Sequence, residues 1–125
     1  NDKVRGKKIS FLGVTFKANT DDMRDSSCLT MIPSLIKKGA LINYFDPTGE
    51  KIEFKKMKNV IFSRNINDAI KDSNLIIIHT EWNDFKSINF RKIVQNKKFI
   101  VFDMRNIYTS EKMKKEKIKY FAIGG

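Results

Sequence analysis

Lys17 and Arg24 are the side chains best suited by type and spacing to grip an anion. They lie in a polar stretch, Val14–Ser27, that also holds Asn19, Thr20, Asp21, Asp22 and Asp25. Lys17 offers an ammonium to a phosphate or a sugar hydroxyl. Arg24 offers a planar fork that matches a pyrophosphate. Arg24 also precedes Asp25-Ser26-Ser27, three helix-capping residue types, so partial positive charge at a helix start would add to its own. The same two cations could instead pair with Asp21, Asp22 and Asp25 and simply order the loop. Cys28 follows the capping residues, a place where a thiolate can be stabilised. No histidine or lysine is evidently paired with it, and it reads as a small core residue. His79 ends an apolar run and reads as a strand-end histidine. Trp82 and Phe85 read as loop anchors, and Asp21 and Asp22 as acceptors that order their loop. With one cysteine and one histidine in the chain, a Cys/His metal cluster is nearly ruled out. The residues offer binding chemistry, with no catalytic group and no metal site expected.

Those residues need elements to hold them. Ile9–Gly13, Ala40–Phe45, Val60–Phe62, Asn74–His79, Phe99–Phe102 and Ile118–Ile123 are short apolar runs with strand character. Asn74–His79 is continuously apolar, as in a strand covered on both faces. Leu29, Ile32, Leu35 and Ile36 recur at helical spacing, with Gly39 as a stop and Pro33 expected in the first turn or at a kink. Short helices are predicted at Glu50–Lys58, Asn65–Lys71 and Phe90–Gln95, and from Ser110 as cap through Lys117. Strands alternating with helices, without two-residue hairpin turns, predict an α/β fold. We expect a three-layer, doubly wound, Rossmann-like domain on a mostly parallel six-stranded sheet. In such sheets ligands sit beyond the carboxyl ends of the strands. The loops there hold Phe16–Arg24, Thr80–Asp84 and Asp103–Tyr108. The first of them has one glycine, Gly13, where a dinucleotide cradle would show G-x-G-x-x-G.

Composition narrows the classes further. A chain of 125 residues fits one domain, and ten Phe can build its core. No apolar run approaches the ~18–20 residues that cross a bilayer. A single cysteine excludes a disulfide-stapled secreted domain. The net charge is +11, but it comes from 20 Lys against 5 Arg, spread along the whole chain. That distribution counts against a nucleic-acid-binding domain, which would cluster basic and aromatic residues on one face. It still predicts a general affinity for anions. Residue 1 is Asn and the segment Asn1–Lys8 is polar, so we read the chain as a piece of a longer protein.

Gly13-Val14-Thr15-Phe16-Lys17-Ala18-Asn19-Thr20-Asp21-Asp22-Met23-Arg24-Asp25-Ser26-Ser27 resembles the C-terminal domain of the nucleotide-sugar dehydrogenases. Tyr44-Phe45-Asp46-Pro47, Thr80-Glu81-Trp82-Asn83-Asp84-Phe85 and Phe102-Asp103-Met104-Arg105-Asn106-Ile107-Tyr108 fall in register with it. Bacterial UDP-glucose 6-dehydrogenases fit best. The same domain of a UDP-N-acetylmannosamine or GDP-mannose dehydrogenase is the alternative, and a pure interaction domain is one of another class. The resemblance implies that residues 1–125 form a single nucleotide-sugar-binding domain. An NAD-binding domain and a central helical region would lie elsewhere in the enzyme, with the cysteine that forms covalent intermediates outside this chain. It implies a cytoplasmic enzyme, a homodimer or larger, that oxidises UDP-glucose to UDP-glucuronate with two NAD⁺ and serves polysaccharide synthesis. It implies that Phe16, Lys17 and Arg105 contact the nucleotide sugar and that Arg24 reaches NAD. Two positions depart from the family pattern. Ala18 replaces a usual Pro, which loosens the loop. Met104 replaces a usual Gly, which is costly if that backbone needs positive φ or close ligand approach.

Overall fold

The computed structural model describes residues 2–123. Six strands form one sheet: β1 Lys8–Leu12, β2 Leu41–Phe45, β3 Val60–Phe62, β4 Leu75–Ile78, β5 Ile100–Asp103 and β6 Lys119–Ala122. Their spatial order is β3-β2-β1-β4-β5-β6, and every pairing is parallel. The expected mostly parallel sheet is therefore wholly parallel. Strand order reverses between β1 and β4, which opens a crevice beyond their carboxyl ends.

Apolar residues on both sides of the strands explain the three layers. Ile9 and Phe11 of β1, Ile42 and Tyr44 of β2 and Ile77 of β4 pack on one face, with Cys28 and Ile32 of helix α1, Cys28–Lys37. Leu12, Ile76, Ile78 and Val101 face the other way. There they meet α2 (Ile66–Ile70), α3 (Phe90–Ile93) and α4 (Ser110–Lys115) through Ala69, Ile70, Phe90 and Met113. Residues that alternate in sequence thus feed two cores.

Several expectations shift. Glu50–Lys58 is a run of turns, not a helix. Its bonds run three residues back, Phe54 N–H to Lys51 O and Met57 N–H to Phe54 O, both at 3.1 Å. Two tertiary contacts hold it in that form: the Lys51 N–H donates to the Tyr44 hydroxyl at 2.8 Å, and the Phe54 ring meets Tyr44 edge-on. Pro33 lies mid-helix, past the first turn of α1. Thr109, not Ser110, caps α4 by accepting from Lys112 N–H at 3.2 Å. Gly39 does end α1: at φ +93° it lets Ala40 N–H reach Leu35 O at 3.1 Å and its own N–H reach Ile36 O at 2.9 Å.

Candidate functional site

The site is assembled by buried side chains that fasten main chain. β2 and β5 both run out in a Phe-Asp pair, and each aspartate turns inward. Asp46 is 1% exposed, and its carboxylate accepts from Val14 N–H at 2.9 Å and from Thr48 N–H at 2.9 Å. Asp103 is wholly buried and accepts from Arg105 N–H at 3.0 Å, Tyr108 N–H at 3.0 Å and the Tyr120 hydroxyl at 2.6 Å. The loops after β1, β2 and β5 therefore hang from two carboxylates. Sequence reasoning quoted both aspartates within motifs and gave them no role. Their shared place, one residue past a strand's last aromatic, was the available signal.

The loop after β4 is tied in by Thr80, whose hydroxyl donates to the Thr15 carbonyl at 3.0 Å. Since that proton is committed, the Thr80 oxygen accepts from His79 Nδ1, 3.0 Å away. His79 Nε2 is then left to accept from the Ser27 hydroxyl at 2.8 Å. A neutral imidazole so bridges the end of β4 and the start of α1. Burial, with the Arg105 charge second, pushes its pKa down to about 4. His79 is the strand-end histidine expected. With its hydroxyl given to His79, Ser27 makes no side-chain cap. Ser26 serves instead, accepting from Cys28 N–H at 3.2 Å and donating to Val14 O. Cys28 is fully buried, and burial pushes its thiol far up, away from the reactive thiolate. Its reading as core therefore holds.

Arg105 meets the main chain of the loop that carries Phe16 and Lys17. Arg105 Nε donates to His79 O at 3.0 Å, and Nη2 donates to Phe16 O at 3.0 Å. Two main-chain carbonyls orient the guanidinium, and Nη1 keeps its hydrogens for another acceptor. The Phe16 ring is 47% exposed. Lys17 is exposed too, and its ammonium makes no ion pair among the described residues. Arg24 takes the loop-ordering option: it binds Asp22 bidentately, Nε to Oδ1 and Nη2 to Oδ2, both at 3.0 Å. That pair holds the Asp22 carboxyl below its usual range. Asp22 O in turn accepts from Phe16 N–H at 3.1 Å, so Arg105, Phe16, Asp22 and Arg24 form one chain of bonds. Trp82 is buried as an anchor, though its indole N–H has no partner among the described residues. Phe85 is fully buried.

The backbone at Met104 does not need the positive φ that would make the departure from Gly costly. Positive φ falls at Asn106, +57°, a residue type that tolerates it, and Met104 packs half-buried against the core. Ala18 packs against the other core. Gly13 has φ +79°, and a Cβ there would sit 2.5 Å from Thr80 Cβ. Its bareness serves the packing of two loops, so the first loop does not fit a dinucleotide cradle. Among the described residues no three acidic, cysteine or histidine groups could hold a metal, and no helix is long and apolar enough to cross a membrane.

Residues 10–110 match the model of the UDP-glucose/GDP-mannose dehydrogenase family, UDP binding domain. A UDP-glucose 6-dehydrogenase of Rickettsia felis is 39% identical over 124 residues, which is 97% of this chain and 28% of that protein. One from Rhizobium meliloti is 35% identical over 122 residues, again 97% of this chain and 28% of the relative. The chain thus spans little more than a quarter of these relatives. An NDP-N-acetyl-D-galactosaminuronic acid dehydrogenase structure from Methanosarcina mazei superposes with TM-score 0.83 at 20% identity, covering 98% of this chain and 25% of that one. The span matched by the family model contains all four loop motifs, and the chain belongs to the UDP-glucose/GDP-mannose dehydrogenase family, as its UDP-binding domain.

Proposed function

We propose that residues 1–125 are the nucleotide-sugar-binding domain of an NAD-dependent UDP-glucose 6-dehydrogenase, a cytoplasmic enzyme that forms UDP-glucuronate. The names of the relatives support the activity. The observation that carries the site is the bond of 3.0 Å from Arg105 to the Phe16 carbonyl, which fixes the guanidinium against the main chain of the loop that carries the exposed Phe16 and Lys17. A UDP-sugar brings two phosphate charges, and cations on two loop edges clamp it with little reorganisation. Arg105 Nη1 and the Lys17 ammonium would hold the diphosphate, and the exposed Phe16 side chain would offer an apolar contact. Arg24, fixed by Asp22, would offer its remaining Nη1 to NAD bound mainly by another domain, and bound NAD⁺ supplies the hydride acceptor. The catalytic residues lie outside this chain, and the full enzyme is a homodimer or larger.

An NMR titration of the chain with UDP-glucose tests this. We expect saturable shifts at Phe16–Arg24 and at 104–106. Lys17→Ala and Arg105→Ala should each weaken binding by about tenfold or more. Arg105→Ala should lower stability by only about 1 kcal/mol, since its bonds lie at the surface. Shifts that persist unchanged in both variants would overturn the site. Turnover of UDP-glucose, UDP-N-acetylmannosamine and GDP-mannose by the complete enzyme decides the sugar.

A further inference from the structure

The amino ends of the strands carry a second concavity. It lies where β1, β4 and β5 begin, a strand's length of roughly 16 Å from the crevice. The cavity measures about 380 Å³, room for a small organic molecule. Leu75 and Ile100, the first residues of β4 and β5, give it apolar wall. Lys7, Lys98, Asn74 and Asn96 give it polar lining, and no Asp or Glu is among its described lining residues.

The two amides decide its chemistry. Asn74 Oδ1 accepts from Lys8 N–H at 2.8 Å. Asn96 Oδ1 accepts from Lys98 N–H at 3.1 Å. Both acceptor oxygens are thus occupied by main-chain donors, which fixes the orientation of each amide. Both NH₂ groups remain without a partner among the described residues. An amide that could present either end presents only its donor here. Lys7 and Lys98 make no ion pair among the described residues, and with them, Lys3 and the two amides, the polar side chains that line the cavity carry ammonium and amide donors and no carboxylate. Such a lining selects an anion, and the Leu75 and Ile100 wall favours one with an apolar body.

We propose that this cavity is a second anion site, separate from the nucleotide-sugar crevice, that takes a small organic phosphate. Its phosphate group meets the lysines and amide N–H donors, and its apolar body lies on Leu75 and Ile100. The probe is phenyl phosphate, titrated into the chain and followed by the side-chain amide signals of Asn74 and Asn96 and the methyl signals of Leu75 and Ile100. These should shift together and saturate. The double variant Lys7→Ala/Lys98→Ala should weaken binding at least about tenfold, and Lys17→Ala should leave it unchanged. Inorganic phosphate should bind about tenfold more weakly for want of the apolar contact, and phenol more weakly still for want of charge. The proposal fails on any of three results: no saturation by about 10 mM, shifts spread over surface lysines generally, or equal binding of phenyl phosphate and inorganic phosphate.

Discussion

His79 shows how one side chain can stabilise the site without touching ligand. It is buried, neutral and bonded on both nitrogens, with a pKa pushed down to about 4. In the unfolded chain it would titrate near 6.5, so between those values the unfolded state binds the extra proton. Stability must therefore rise with pH across that window and fall on acidification. From pH 7 to pH 5 the loss should be about 2 kcal/mol, read from urea unfolding at each pH. His79→Gln should flatten that slope, and an undiminished slope would assign it to other groups. Reading the residues alone placed His79 at a strand end but could not foresee this role. Its partners Ser27 and Thr80 come from different loops, and only the fold makes them neighbours. Lys17 and Arg24 stood out in the sequence as cations in a loop at the carboxyl edge of a parallel sheet, whereas Arg105 was singled out only by the resemblance. What composition left open was resolved by distance, with Arg24 pairing to Asp22 and Lys17 making no ion pair among the described residues, though its charge helps lower the pKa of the Asp22 carboxyl.

At the scale of elements, the link between β1 and α1 depends on Gly13. Its φ of +79° and the 2.5 Å from a built Cβ to Thr80 Cβ leave no room for a side chain. Gly13→Ala should cost about 2–4 kcal/mol, seen as a lowered Tm, because backbone strain and a buried clash add. The loss should persist in Gly13→Ala/Thr80→Ser, because serine keeps the Cβ and the hydroxyl oxygen that the new methyl would meet. All six strands were legible to within a residue or two, since each is a short run dominated by apolar, β-branched or aromatic residues, including the partly exposed edge strands β3 and β6. The segment 50–58 was not. Phe54 and Met57 stand three apart, as on a helix, but the Tyr44 hydroxyl and ring fasten the segment from the neighbouring strand. Tertiary contacts outweighed local pattern there, and a short basic stretch had little intrinsic helicity to resist them.

The molecule as a whole presents binding groups without a reactive one. Its cysteine is buried, its histidine is committed to two hydroxyls, and its first loop is filled by packing. The purified chain with UDP-glucose and NAD⁺ should accordingly produce no NADH absorbance, and measurable turnover would contradict the division of labour proposed above. The manner in which Arg105 is held bears on how such a domain can diversify. Its two anchors are the carbonyls of His79 and Phe16, and every amino acid carries a carbonyl. Replacing the side chain at position 16 would leave the acceptor in place and the guanidinium aimed as before. The frame is thus insulated from the letters written on it, and the loop can drift in sequence at its exposed positions while the guanidinium keeps its aim.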